Sequence, residues 1–166
     1  FLIAYHQGNR FFSLVAIYFS LYIAYSFGLK NIPILDIIII AIGFSLRIRS
    51  GGAIAAVEVT IWMNIMVFLL ALFMAIGKRR DDVLLTLSSG VTMRKAIEGY
   101  TLDFLNTLLA LISAVMIVSY FMYTVSDRVI ERHHTNRLYL TSLFVMAGIM
   151  RYLQIIYVNA DSGSPT

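Results

Sequence analysis

Five apolar runs, near residues 11–28, 34–51, 61–77, 101–124 and 138–158, set the terms on which this chain can fold. Each reaches or approaches the roughly 20 residues that carry an α-helix across the hydrocarbon core of a bilayer. Backbone polar groups in lipid must find partners within their own segment, which makes helix the expected state of all five. Composition agrees. Of 166 residues, 60% are hydrophobic and 13% charged, against about a quarter charged in an ordinary soluble domain. Too few polar side chains remain to cover a water-facing surface. The expected fold class is therefore all-α: a polytopic transmembrane helix bundle, one domain over residues 1–166.

Cysteine is absent, so disulfides and thiolate metal sites are excluded. A formal charge of +4 would point to nucleic acid in a soluble protein. Here it suits basic loops that face anionic headgroups or a phosphorylated substrate, and nucleic acid is not an expected partner. The chain opens at Phe1 without a basic segment ahead of a cleavable apolar core, which is not a signal peptide. Its polar tail, "NADSGSPT", leads into no further element. Both ends read as cut, and the expectation is an internal piece of a larger membrane protein.

The connectors divide the charges. Pro33 in "LKNIP" suits the first turn of the second helix, where its missing N–H costs nothing, and Gly51 and Gly52 are expected to end that helix. A loop is expected over 78–100. Within it Met93, Ile97 and Tyr100 share one helical face, away from Arg94, Lys95 and Glu98, as in a short helix lying in the membrane interface. Alternating the spans puts Lys30, the 78–100 loop and the 159–166 tail on one side, A. Arg10 and the 51–60 and 125–137 loops fall on the other, B. Lys30, Lys78, Arg79, Arg80, Arg94 and Lys95 then face Arg10, Arg128, Arg132 and Arg137. The basic excess makes side A cytoplasmic, with the plasma (inner) membrane as the expected location.

Ionisable residues inside spans are costly and point to function. Asp36, Ile40, Gly43 and Arg47 follow at i, i+4, i+7 and i+11 and share a helical face. The carboxylate lies near side A and the guanidinium about 16 Å deeper. Arg47 reads equally as a snorkelling residue or a partner of Glu58, and Arg49 as a snorkelling residue. Tyr18, Tyr22 and Tyr25 form a stripe of the kind that usually packs or anchors. Asn64 and Asn106 suit helix–helix contacts. His133 and His134 are adjacent, lack the i, i+4 spacing of a chelating pair, and read as loop residues.

Lys30, Asp36, Lys78, Arg79, Arg80, Asp81, Asp82, Asp103 and Arg151 converge on the A-side mouths of the helices. Neighbouring Lys and Arg suit phosphate oxygens, and carboxylates beside them suit Mg²⁺ shared with a substrate's phosphates. The same residues also read as a plain positive-inside flank whose cations are balanced by two aspartates. Taken alone, they leave both readings open.

Five stretches in fixed order narrow the choice: "YSFGLKNIPILDIIIIAIGFSLRIRSGG", "LALFMAIGKRRDDVLL", "MRKAIEGYTLDFLN", "VSYFMYTVSD" and "LFVMAGIMRYLQIIY…SGSPT". Together they resemble the UbiA superfamily of intramembrane prenyltransferases, on the branch of the decaprenyl-phosphate phosphoribosyltransferases. The resemblance covers nearly the whole chain. It implies nine transmembrane helices around a cavity open to cytoplasm and lipid, with two aspartate-rich loops that bind Mg²⁺ and diphosphate. The chain corresponds to helices four to eight. Residues 78–82 stand where the second acidic motif belongs, with Lys-Arg-Arg-Asp-Asp in place of DxxxD, while the first motif, NDxxDxxxD, is not in this sequence. The resemblance further implies transfer of a 5-phosphoribosyl group from phosphoribosyl diphosphate to a polyprenyl phosphate. Lys78, Arg79 and Arg80 are then expected on phosphates, Asp81 on the metal, Asp82 on metal or ribose, and Lys30 with Asp36 at the cavity rim. Arg47 and Arg151 are further phosphate candidates. This piece alone is expected to be inactive. Prenyl transfer to an aromatic acceptor such as 4-hydroxybenzoate, or a non-catalytic transporter or scaffold, are the alternatives, and self-association into a homo-oligomer stays open.

Overall fold

The computed structural model describes residues 9–89 and 99–158. The tail at 159–166 and the interfacial helix expected over 91–100 lie outside these, apart from Gly99 and Tyr100, as do the side chains of Asn9, Arg10, Ser88 and Ser89. All regular structure among the described residues is helical: α1 (Asn9–Phe27), α2 (Leu35–Ala55), α3 (Ile61–Ser89), α4 (Leu102–Thr124), α5 (Asp127–His133) and α6 (Ser142–Val158). Single 3₁₀ turns at Leu29–Asn31 and Leu138–Thr141 precede α2 and α6. Leu35–Ala55, Ile61–Leu87, Leu102–Thr124 and Leu138–Val158 are long and apolar enough to cross a membrane, and Phe11–Phe27 is apolar but shorter.

Each boundary has a local cause. The chain turns at Gly28 (φ 155°), passes Pro33 and enters α2 through Ile34, whose φ of 68° is a rare conformation for a β-branched residue. Helix α2 runs past Gly51 and Gly52 to a left-handed cap at Ala56, where the Val57 N–H donates to the Gly52 carbonyl at 3.0 Å. The expected stop at the glycines does not occur, because glycine only weakens a helix while its hydrogen bonds remain intact. Helix α4 is capped by Thr101, whose side chain accepts from the Phe104 N–H at 3.2 Å.

Helix α3 departs most from expectation. The sequence suggests a span ending at 77 and a polar loop from 78, yet the helix continues to Ser89. No Gly or Pro interrupts residues 78–89, and Arg79 and Asp82 pair at i, i+3. Val83 returns to the core at 6% exposure. At 29 residues the helix is about 43 Å long, more than the roughly 30 Å of hydrocarbon. Residues 78–82 therefore stand on a rigid helix rather than in a loop.

Neighbours in sequence are neighbours in space: α1 packs on α2, α2 on α3, α3 on α4, and α4 on both α5 and α6. Leu105 and Leu109 are fully enclosed, and Ile37, Phe73, Ile76 and Ile149 join them in the core. Between helices in lipid such burial gains close packing rather than dehydration. Most of each span faces outward with apolar side chains, Phe27 and Phe144 among the most exposed, as suits a surface wetted by acyl chains.

Candidate functional site

The first turn of α2 carries Asp36, which is completely buried. Its Oδ2 accepts from Arg79 Nε of α3 at 2.5 Å, and its Oδ1 accepts from the Tyr100 hydroxyl at 2.7 Å. Arg79, 2% exposed, donates through Nη1 to Asp82 Oδ2 at 2.7 Å. One guanidinium thus lies between two carboxylates. The Tyr100 hydroxyl also accepts the Ile34 N–H at 2.5 Å, which fixes the backbone at its positive φ. Burial first, and then the bond to the Asp36 carboxylate, push the Tyr100 phenol well above its ordinary pKa, so it remains a proton donor at any physiological pH.

Arg80, the next residue, has a different environment. Its Nε donates to Asn106 Oδ1 of α4 at 2.9 Å, and its guanidinium carbon lies 5.2 Å from the centre of the Tyr157 ring of α6. The Tyr157 hydroxyl donates to the Asn106 carbonyl at 3.0 Å. Arg80 is only 8% exposed, and among the described residues it forms no ion pair, although the neighbouring Asp81 carboxylate feels its charge. Its two Nη atoms make no hydrogen bond there, yet they are not among the atoms sealed from the surface without a partner. A cation is thus held by neutral groups with its fork open. Asp81 beside it is partly buried and likewise makes no ion pair among the described residues. One turn earlier on α3, the Tyr152 hydroxyl crosses Gly77 so closely that a Cβ there would lie 2.7 Å from it, and the Tyr152 ring packs on Phe73 at 4.9 Å.

The structure joins some expected site residues and separates others. Asp36, Arg79 and Asp82 form one knot, with Arg80 and Asp81 alongside. Lys78 is exposed on the same stretch of α3, and Lys30 is exposed in the turn that leads into α2. Arg151 is exposed and bonds Gln154 of its own helix at 2.8 Å. Arg47 lies eleven residues beyond Asp36. It bonds Tyr18 Oη through Nε and Nη2 at 3.1 and 2.6 Å, and Tyr22 Oη at 3.4 Å. Its guanidinium sits 5.3 Å from the Tyr18 and Phe44 rings and 5.9 Å from Tyr22. Glu58 is not its partner; tyrosines of α1 hold it instead. Arg49 bonds Asn64 at 3.2 Å. Sequence reasoning missed Tyr100 and Tyr157 as members of the cluster. Their positions where an apolar span meets a polar end give only a weak signal, since interfacial tyrosines are common.

Among the described residues no three His, Cys, Asp or Glu side chains are grouped to hold a metal ion. Asp36 has both oxygens engaged and Asp82 has one on Arg79. These residues do not build a metal centre of their own. Asp81 suits a single contact to an ion that takes its other ligands from phosphates and water.

No family model matches the chain. It is 33% identical over 110 residues to a decaprenyl-phosphate phosphoribosyltransferase of Corynebacterium glutamicum, covering 66% of this chain and 33% of that one. The protein of the same name from Mycolicibacterium smegmatis is 34% identical over 113 residues, covering 68% and 36%. The matches thus span about a third of the length of these curated relatives. Among solved structures, a UbiA homolog from Archaeoglobus fulgidus bound to Cd²⁺ superposes with a TM-score of 0.67 at 21% identity, over 95% of this chain and 56% of that one. That likeness gives the fold, and the relatives give kinship to transferases. Fold and sequence likeness together bear out the resemblance to the UbiA superfamily.

Proposed function

We propose that this chain forms the donor-gripping part of a membrane transferase that moves a 5-phosphoribosyl group from phosphoribosyl diphosphate to a polyprenyl phosphate. In this reaction the bond between the ribosyl anomeric carbon and the diphosphate oxygen breaks, and the diphosphate departs with the electron pair. A new bond joins that carbon to an oxygen of the lipid phosphate. The developing charge is an anion on the leaving diphosphate, so preorganised cations at that point lower the barrier. The observation that carries the reading is the Arg80 fork, held by neutral partners and open beside Asp81. The names of the matched relatives support the same donor and acceptor.

Within this reading, Arg80 and Lys78 bind phosphate oxygens, with Lys30 at the rim of the same helix end. Arg79, Asp36 and Asp82 hold α2 and α3 in register so that Arg80 and Asp81 are presented together. A bound Mg²⁺ would neutralise part of the diphosphate charge, with Asp81 as this chain's contact to it. The polyprenyl tail lies along the apolar helix faces, and the A side is cytoplasmic, where a charged, water-soluble donor is met. Arg47 and Arg151 lie apart from this knot, and their place in this reading is at lipid or acceptor phosphate.

Full-length protein in lipid nanodiscs, given labelled phosphoribosyl diphosphate and decaprenyl phosphate, should form a ribosylated lipid. Arg80→Gln should lower kcat/KM for the donor by about a hundredfold, the scale of losing a charge-assisted phosphate contact in a desolvated site. A prenylated 4-hydroxybenzoate in place of a ribosylated lipid would reassign the donor.

A further inference from the structure

Two adjacent arginines on α3 are given opposite electrostatic settings. Arg79 is bonded to two carboxylates, whereas Arg80, nearly as buried, is bonded to an amide oxygen and backed by a phenol ring. Holding a guanidinium through its Nε with a neutral acceptor fixes its direction and leaves it without a directly bonded counter-ion. The ring face adds attraction without supplying a counter-ion. The seat is itself braced, because the Tyr157 hydroxyl donates to the backbone carbonyl of Asn106, the residue whose side chain holds Arg80. Three helices, α3, α4 and α6, meet at this one cation. If the sole requirement were to bury Arg80 stably, an aspartate at 106 would serve better, since breaking or omitting a buried pair is costly.

We infer that Asn106 and Tyr157 are positioning residues that aim the Arg80 guanidinium at a diphosphate group while keeping its charge available. This rests on the proposed reading of the site as a diphosphate-donor site, and it adds to that reading two residues that touch no substrate and act through Arg80.

The test measures binding of inorganic diphosphate to full-length protein in nanodiscs, together with the thermal unfolding midpoint of each variant. Asn106→Asp places a carboxylate against the Arg80 Nε. It should weaken diphosphate binding about tenfold or more, on the scale set by charge-assisted pairs, while the unfolding midpoint stays level or rises. Those opposite movements are not expected of a purely structural residue, and an Asn106→Asp protein that binds diphosphate as tightly as the parent overturns the inference. Tyr157→Leu should weaken binding about fivefold, as loss of a partly desolvated cation–π contact would, and Tyr157→Phe, which keeps the ring, should weaken it less. In an Arg80→Gln background the Tyr157→Leu effect should vanish, since residues acting through one group are not additive. Effects that multiply would show that Tyr157 acts independently of Arg80, and the inference fails. If Arg80→Gln itself leaves diphosphate affinity unchanged, the donor-site reading falls and takes the inference with it.

Discussion

Asp36 and Arg79 show how one residue's environment decides another's role. A carboxylate with no exposure, bonded on one oxygen by a guanidinium and on the other by a phenol, has every strong interaction supplied by protein. Removing one member leaves a buried charge without its partner, at a cost of about 3 kcal/mol or more. Asp36→Asn and Arg79→Gln should each lower the unfolding midpoint in detergent, and the double variant should recover most of the loss, because neutral partners can still hydrogen-bond. Tyr100→Phe should cost about 1–3 kcal/mol, since it strips the Ile34 N–H of its acceptor and Asp36 of a donor. The sign of its pH dependence follows from the raised phenol pKa. A group held protonated by folding contributes stability in full below its unfolded value, about 10 for tyrosine, and loses it as pH rises through the higher folded value. Midpoints of the parent and Tyr100→Phe should therefore differ by a constant amount from pH 6 to 9 and converge in stronger alkali.

At the scale of the helix, α3 explains what a sequence reading can and cannot see. Apolar length identifies a span because lipid demands it, so the helical class is legible. Charge is a poorer sign of a helix end. Lys78, Arg79, Arg80, Asp81 and Asp82 look like a connector in one dimension, whereas in three dimensions α2 and α4 bring Asp36 and Asn106 to meet two of those cations inside the bundle. The Asp36, Gly43, Arg47 stripe is legible as periodicity, but its ends serve different neighbours, α3 for Asp36 and the tyrosines of α1 for Arg47. Partners that distant in sequence, 43 residues between Asp36 and Arg79, carry no local signature. The seam between α3 and α6 gives a test at this scale. Gly77→Ala places a methyl group 2.7 Å from the Tyr152 hydroxyl and 3.8 Å from the ring carbon that bears it. Alone it should destabilise. Combined with Tyr152→Phe the clash disappears and an ordinary contact remains, so the helix gains the roughly 1 kcal/mol by which Ala exceeds Gly. The double variant should then unfold at a higher temperature than Tyr152→Phe alone.

Across the whole molecule, the polar ties separate into two ends. The A end holds the knot of Asp36, Arg79, Asp82 and Tyr100 with Arg80, Asn106 and Tyr157 beside it. Toward the B end lie Arg49 on Asn64 and the Trp62–Tyr123 contact, edge-on at 6.3 Å, in the manner of an aromatic belt at a headgroup boundary. On the proposed reading the donor carries several negative charges and cannot cross the bilayer unaided, so the knot would have to face the compartment that supplies it. By the positive-inside tendency the basic excess of the A end makes the cytoplasm the expected compartment, and this stretch allows a direct check because it contains no cysteine of its own. Single cysteines can be placed at Lys30, exposed in the turn before α2, and at Glu58, exposed in the link between α2 and α3. With a membrane-impermeant maleimide on intact cells, Glu58→Cys should label at once and Lys30→Cys only after permeabilisation. The reverse pattern would turn the Arg80 fork away from any cytoplasmic donor. The assignment of phosphoribosyl diphosphate would then fail on topology alone, however well the fork suits phosphate.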